Sequence, residues 1–168
     1  MSDEKIKATA EDIESAQGMS EEQQKYLRTA LQHFFEGGTI RDVKGLSDDE
    51  MEALYSVGYN LFQSGKYDDA EKVLRYLAMI DHTNAKYWLA LGVLLQTVRK
   101  FEQAAACYGF AGFLDLSNPE PQFYAAECFL ALGDRESAKS ALAALEEFAP
   151  KDSVYREKAK KLAARLVA

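Results

Sequence analysis

The sequence predicts an all-α fold: a right-handed solenoid of three helix pairs, with an amphipathic helix before them and a capping helix after them. Three observations predict it. Gly58, Gly92 and Ala126 stand 34 residues apart, as do Ala70, Ala104 and Ala138. Gly65 and Gly133 fall where a tight left-handed turn would split a unit into two helices. Ser20-Glu-Glu-Gln23 and Ser47-Asp-Asp-Glu50 read as capping boxes, each opening a helix.

A 34-residue period with small residues at these two positions is that of the tetratricopeptide repeat. The units run 51–84, 85–118 and 119–152, each helix A, turn, helix B. The small residues have a packing reason: Gly58, Gly92 and Ala126 on helix A are expected to face Ala70, Ala104 and Ala138 on helix B, where larger side chains would push the pair apart. Around them Leu54, Val57, Leu61 and Leu74 correspond to Trp88, Leu91, Leu95 and Tyr108, then to Gln122, Ala125, Phe129 and Leu142, as expected core. The middle unit carries Arg99 at the turn glycine's place, a departure that a less tight turn absorbs.

The flanking elements follow in order. Residues 1–19 hold many charges and few large apolar side chains, which predicts a disordered acidic tail. From Ser20 a helix carries Tyr26, Leu27, Ala30, Leu31, Phe34 and Phe35 on one broad stripe and stops at Gly37-Gly38. That stripe needs a cover, either the solenoid's own flank or a second copy of the chain. Residues 39–46 read as a connector with a helical turn around Ile40 and Val43. Pro150 ends the third helix B, and residues 153–168 form the capping helix, with Val154, Ala159, Leu162, Ala163 and Leu166 at helical spacing.

Composition bounds the function. The chain has 168 residues, 48% hydrophobic and 28% charged, enough for a core without disulfides or metals. A net charge of −7 argues against nucleic acid and anionic membrane surfaces as partners. The charge is uneven: residues 1–22 hold seven carboxylates and two lysines, while 151–168 hold six Lys or Arg and two carboxylates. No secretory leader and no membrane-spanning apolar run can be read, which favours the cytoplasm. Cys107 and Cys128 lack CxxC spacing and read as reduced, buried residues.

No catalytic, metal or cofactor site is expected. His33 and His82 are the only histidines, one on the first helix and one in an inter-repeat turn, without partners at metal-ligand spacing. GxxxxGKS/T, GxGxxG and GxSxG do not occur. The concave face of the repeats is more informative. In tetratricopeptide units, positions 2, 5, 9, 12 and 13 of helix A line it. They give Glu52, Tyr55, Tyr59, Phe62 and Gln63, then Lys86, Leu89, Val93, Gln96 and Thr97, then Glu120, Phe123, Glu127, Leu130 and Ala131. Tyr55, Tyr59, Phe62, Leu89, Val93, Phe123 and Leu130 make an apolar strip that packing within each repeat does not require, the mark of a peptide-binding groove. An alternative occupant is the chain's own first helix or C-terminal tail. Repeat domains that clamp the acidic tails of heat-shock chaperones place Lys and Asn at positions 5 and 9 of the first unit; Tyr55 and Tyr59 here exclude that grip.

Two blocks narrow the reading: Leu54-Tyr-Ser-Val-Gly-Tyr-Asn-Leu-Phe-Gln-Ser-Gly-Lys-Tyr-Asp-Asp-Ala-Glu-Lys-Val-Leu74, followed by Asp81-His82, and Asp115-Leu-Ser-Asn-Pro-Glu-Pro-Gln-Phe-Tyr-Ala-Ala-Glu-Cys-Phe-Leu-Ala-Leu-Gly-Asp134. Over roughly residues 20–150 the chain resembles the class II chaperones of bacterial type III secretion, which hold two hydrophobic pore-forming translocators before export. The resemblance implies a groove for an extended N-terminal translocator segment with Pro-x-Leu-x-x-Pro-like anchors. Tyr55, Tyr59, Phe62 and Tyr67 would line the first pockets, with Leu89, Val93, Phe123 and Leu130 beyond. It also implies a homodimer through Tyr26, Leu27, Ala30, Leu31, Phe34 and Phe35, the bacterial cytoplasm as location, and in some relatives a transcriptional regulator as further partner. Tyr124 stands where His is common in the family. The competing reading is a repeat scaffold that joins folded proteins.

Overall fold

The structure, a computed structural model, describes residues 20–167, without the side chains of Phe34 and Val167; the tail expected over residues 1–19 lies outside the described residues. Every regular element among them is a helix: α1 Glu21–Phe35, α2 Ile40–Lys44, α3 Asp48–Gln63, α4 Tyr67–Ile80, α5 Ala85–Thr97, α6 Phe101–Leu114, α7 Glu120–Ala131, α8 Arg135–Phe148 and α9 Val154–Val167. The described residues fall into two compact bodies, 20–48 and 49–167.

In the first body, Ser20 and Gln23 make the reciprocal cap that the sequence predicts. The Ser20 N–H donates to Gln23 Oε1 at 2.8 Å, and the Gln23 N–H to Ser20 Oγ at 3.2 Å. Gly37 leaves α1 at φ 89°, and a Cβ on Gly38 would lie 2.2 Å from the His33 ring, which a larger residue there would have to displace. What the sequence suggests as a helical turn is a separately capped helix. The Asp42 N–H donates to Thr39 Oγ1 at 3.3 Å, while the Thr39 N–H and hydroxyl each donate to Asp42 Oδ2 at 2.8 Å. These donors, led by the Thr39 N–H, hold the Asp42 carboxyl below the usual carboxylate range. The Thr-x-x-Asp spacing was the available signal.

The second body stacks three helix pairs, α3–α4, α5–α6 and α7–α8, and then α9, each helix A packing on the preceding helix B. Met51, Leu77, Ile80, Leu91, Leu94, Leu95, Tyr108 and Leu145 are among its largest fully buried side chains. Each buried aliphatic group of this kind contributes roughly 1.5–3 kcal/mol. Ala70, Ala104 and Ala138 are fully buried as expected, and Ala126 and Ala138 share one core cluster. A Cβ on Gly92 would lie 2.6 Å from the Tyr108 ring, and one on Gly58 would lie 3.2 Å from Leu74 and Val73.

The three inter-helix turns are alike, which corrects the expectation of a looser middle turn. Arg99 adopts φ 62°, beside 73° at Gly65 and 78° at Gly133. The same two bonds close each: Arg99 N–H to Gln96 carbonyl and Lys100 N–H to Leu95 carbonyl, as at Gly65–Lys66 and Gly133–Asp134. Packing overrides the side chain's backbone preference.

Two expected core positions are exposed. Val57 is 49% exposed, whereas its register mates Leu91 and Ala125 are buried, because α3 is the first helix of its body and no helix B precedes it there. Val154 is 67% exposed because α9 sits in repeat register: residue 154 falls 34 positions after Glu120, at an outward position, and Tyr155 turns inward instead. Helix α9 thus takes the place of a fourth helix A. At the register of Gly58, Gly92 and Ala126 it carries Lys160, ion-paired with Glu157 at 2.8 Å.

Candidate functional site

A cavity of about 230 Å³ opens between α3 and α5. Tyr55, Tyr59 and Phe62 recur along one face of α3; Lys86, Leu89, Ala90 and Val93 do so on α5, and Leu74 of α4 also lines the cavity. The Tyr55 ring centre lies 6.0 Å from that of buried Tyr87, which fixes one wall. The Lys86 ammonium sits 3.9 Å from the Tyr55 ring centre and 2.7 Å from Glu52 Oε2, the single cation in an otherwise aromatic and aliphatic lining. Tyr59 keeps 51% of its surface exposed although the lining is mostly apolar.

Of the residues that the sequence assigns to a groove, Tyr55, Tyr59, Phe62, Leu89 and Val93 share this cavity. Tyr67 does not line it; its ring packs 5.7 Å from that of Phe62. Phe123 is a core residue rather than a groove wall: it is 8% exposed, in a cluster with Leu142, Leu145, Ala159, Leu162 and Leu166, and Leu130 packs against the same cluster. Their cover is α9, whose Tyr155 ring lies 5.5 Å from Phe123. The sequence held that signal, since Tyr155 follows Phe123 by the same 32 residues that separate Tyr87 from Tyr55. Leu74 and Ala90 were not foreseen as lining, because their place depends on how closely α3 and α5 approach.

Beyond Val93 on the same face of α5, Gln96 links two units. Its Oε1 accepts from the Tyr108 hydroxyl at 2.6 Å, and its Nε2 donates to Glu127 Oε2 at 3.3 Å. Tyr108 is buried, and burial pushes its phenol well above the usual range. Glu120, on the first turn of α7, accepts from the Tyr155 hydroxyl at 2.5 Å.

On α1, Tyr26 is 57% and Phe35 37% exposed, Leu27, Ala30 and Leu31 are half-buried, and the Phe34 side chain lies outside the described residues. His33 Nε2 sits 3.4 Å from Asp42 Oδ2. His82 is a turn residue whose carbonyl accepts from the Trp88 indole N–H at 2.9 Å. Cys107 and Cys128 are free and buried; burial pushes their thiols up to about 11 and about 12.

Comparison with known proteins matches residues 51–84 to the tetratricopeptide repeat family. Low calcium response locus protein H of Yersinia pestis is 34% identical over 140 residues, 83% of each chain. Among solved structures, the type III secretion chaperone SycD of Yersinia enterocolitica in complex with a peptide of the translocator YopD is 33% identical, with a TM-score of 0.64, over 72% of this chain and 92% of that one. PcrH of Pseudomonas aeruginosa in complex with the chaperone binding region of PopD is 38% identical, with a TM-score of 0.64, over 73% of this chain and 92% of that one.

Proposed function

The chain belongs to the family of type III secretion translocator chaperones, and on that premise we propose that it binds hydrophobic translocators through an extended segment held in the Tyr55–Val93 cavity. The observation that carries this reading is the cavity itself. Five large apolar side chains from two repeats converge on open space that no element of their own body fills. Each apolar side chain that a cargo buries there would contribute roughly 1.5–3 kcal/mol before entropy costs.

The mechanism needs no chemistry on the cargo. A translocator carries membrane-inserting segments that aggregate in water, and a chaperone that masks one of them lowers the free population by mass action. Neutral, buried cysteines and a core of alanine and leucine are consistent with a passive holder. Tyr59, Phe62, Leu89 and Val93 offer the anchoring surface, with Tyr67 at its margin. Phe123 and Leu130 act indirectly, by seating α9 at the end of the array.

Two translocators as cargo, and the bacterial cytoplasm as the place of action, complete the proposal. Homodimerisation through Tyr26, Leu27, Ala30, Leu31, Phe34 and Phe35 is part of it, supported by the exposure of Tyr26 and Phe35. A transcriptional regulator as partner of the emptied chaperone rests on family resemblance alone. Co-expression with the hydrophobic translocators of the same secretion system tests the reading. A soluble complex that is lost when the translocator's N-terminal region is deleted supports it. Insoluble cargo, or binding only to folded proteins, favours the scaffold reading instead.

A further inference from the structure

We infer that the cargo segment carries a basic side chain, arginine above all, about three residues from the apolar anchor that fills the cavity, and that Glu127 receives it. The inference rests on the cargo reading proposed above and adds the chemistry of a second contact.

Glu127 is a half-buried carboxylate without a cation: among the described residues its one hydrogen bond is the long 3.3 Å contact from Gln96 Nε2. An ionised carboxylate offers about four acceptor sites, and a partly buried one left under-satisfied is costly. The other acids that join units are matched. Glu52 pairs with Lys86 at 2.7 Å, Glu71 with Lys100 at 2.8 Å, and Glu120 accepts from Tyr155. Glu127 alone among these has no charged or hydroxyl donor, yet it is held in place. The buried Tyr108 hydroxyl fixes the Gln96 amide, and the amide orients the carboxylate. Such a chain of supporting bonds is how a recognition group is preorganised.

Its position ties it to the cavity. Leu89, Val93 and Gln96 lie on one face of α5, so the Gln96–Glu127 contact continues the line of the cavity walls by one helix spacing, towards α7. Packed helices lie about 8–10 Å apart, which an extended chain crosses in about three residues. A segment anchored against Tyr59 and Val93 in the polyproline II conformation, which repeats its side-chain direction every three residues, therefore presents a side chain to Glu127 without a bend. Arginine suits the site better than lysine because its planar fork binds a carboxylate in two places. The net charge of −7 also favours approach of a basic segment.

The test measures binding of synthetic 15-residue peptides to the full chain by fluorescence anisotropy. Each peptide has one central leucine, with arginine, alanine or glutamate placed two to five residues to either side. Arginine at one such position is expected to tighten binding five- to twentyfold over alanine, and glutamate there to weaken it. Glu127→Gln, which keeps the shape and the Gln96 contact, should erase the difference, and Glu127→Lys should reverse it in favour of glutamate. An arginine effect that survives Glu127→Gln overturns the assignment. A flat scan with binding still dependent on the leucine overturns the inference and leaves the cargo reading standing. Peptides that fail to bind whatever they carry overturn the cargo reading itself.

Discussion

A Cβ placed on Gly92 would lie 2.6 Å from Cε1 of Tyr108, well inside van der Waals contact between separate side chains. The contact joins α5 to α6 at the middle of the array. It also fixes Tyr108, whose hydroxyl begins the chain to Gln96 and Glu127.

A graded glycine series follows. Gly92→Ala should destabilise by about 1–2 kcal/mol, since overpacking outweighs the gain in helix propensity. Gly58→Ala, 3.2 Å from Leu74 and Val73, should be close to neutral. Gly109→Ala, at an exposed position of α6 with open space around it, should stabilise by about 0.5–1 kcal/mol. Urea unfolding of the three variants measures the order, and a Gly92 variant as stable as Gly109→Ala would remove the packing argument.

Arg99 supplies the opposite case. Its φ of 62° costs a non-glycine residue about 1–2 kcal/mol, part of which glycine's greater chain entropy cancels. Arg99→Gly should therefore raise stability by about 0.5–1 kcal/mol, read as a higher thermal midpoint.

Tyr59 and Phe123 should separate binding from stability. Tyr59→Ala, at a half-exposed wall of the cavity, is expected to weaken cargo binding about tenfold or more with little change in thermal midpoint. Phe123→Ala, in the core under α9, should cost about 3 kcal/mol or more of stability. Isothermal titration beside thermal unfolding distinguishes the two, and equal stability losses would place Tyr59 in the core.

The two thiols set a pH window. Their folded values, about 11 for Cys107 and about 12 for Cys128, lie above the ordinary thiol value near 9, so folding favours the protonated form. Their contribution to stability is complete below about pH 9 and is lost as pH rises towards 11–12. Iodoacetamide at pH 8 should label both thiols slowly in the native protein and rapidly in urea. Fast native labelling at either position would contradict its burial.

The repeat was legible because its small residues recur at a fixed interval, and that interval depends only on the chain. The five residues of the cavity were legible for the same reason, since Tyr55, Tyr59, Phe62, Leu89 and Val93 hold register positions. Phe123 holds such a position too, and was misplaced because its exposure depends on a later helix that the period does not include. Val57 failed from the other end, as the first helix lacks a predecessor in its body. Arg99 shows that a turn repeated three times can impose its geometry on a residue whose own preference is against it.

Lys160 gives the array a terminus. It stands where the units place Gly58, Gly92 and Ala126, the register at which α4 and α6 close against α3 and α5. A helix pairing with α9 in that register would have to displace the Lys160 side chain and its ion pair with Glu157.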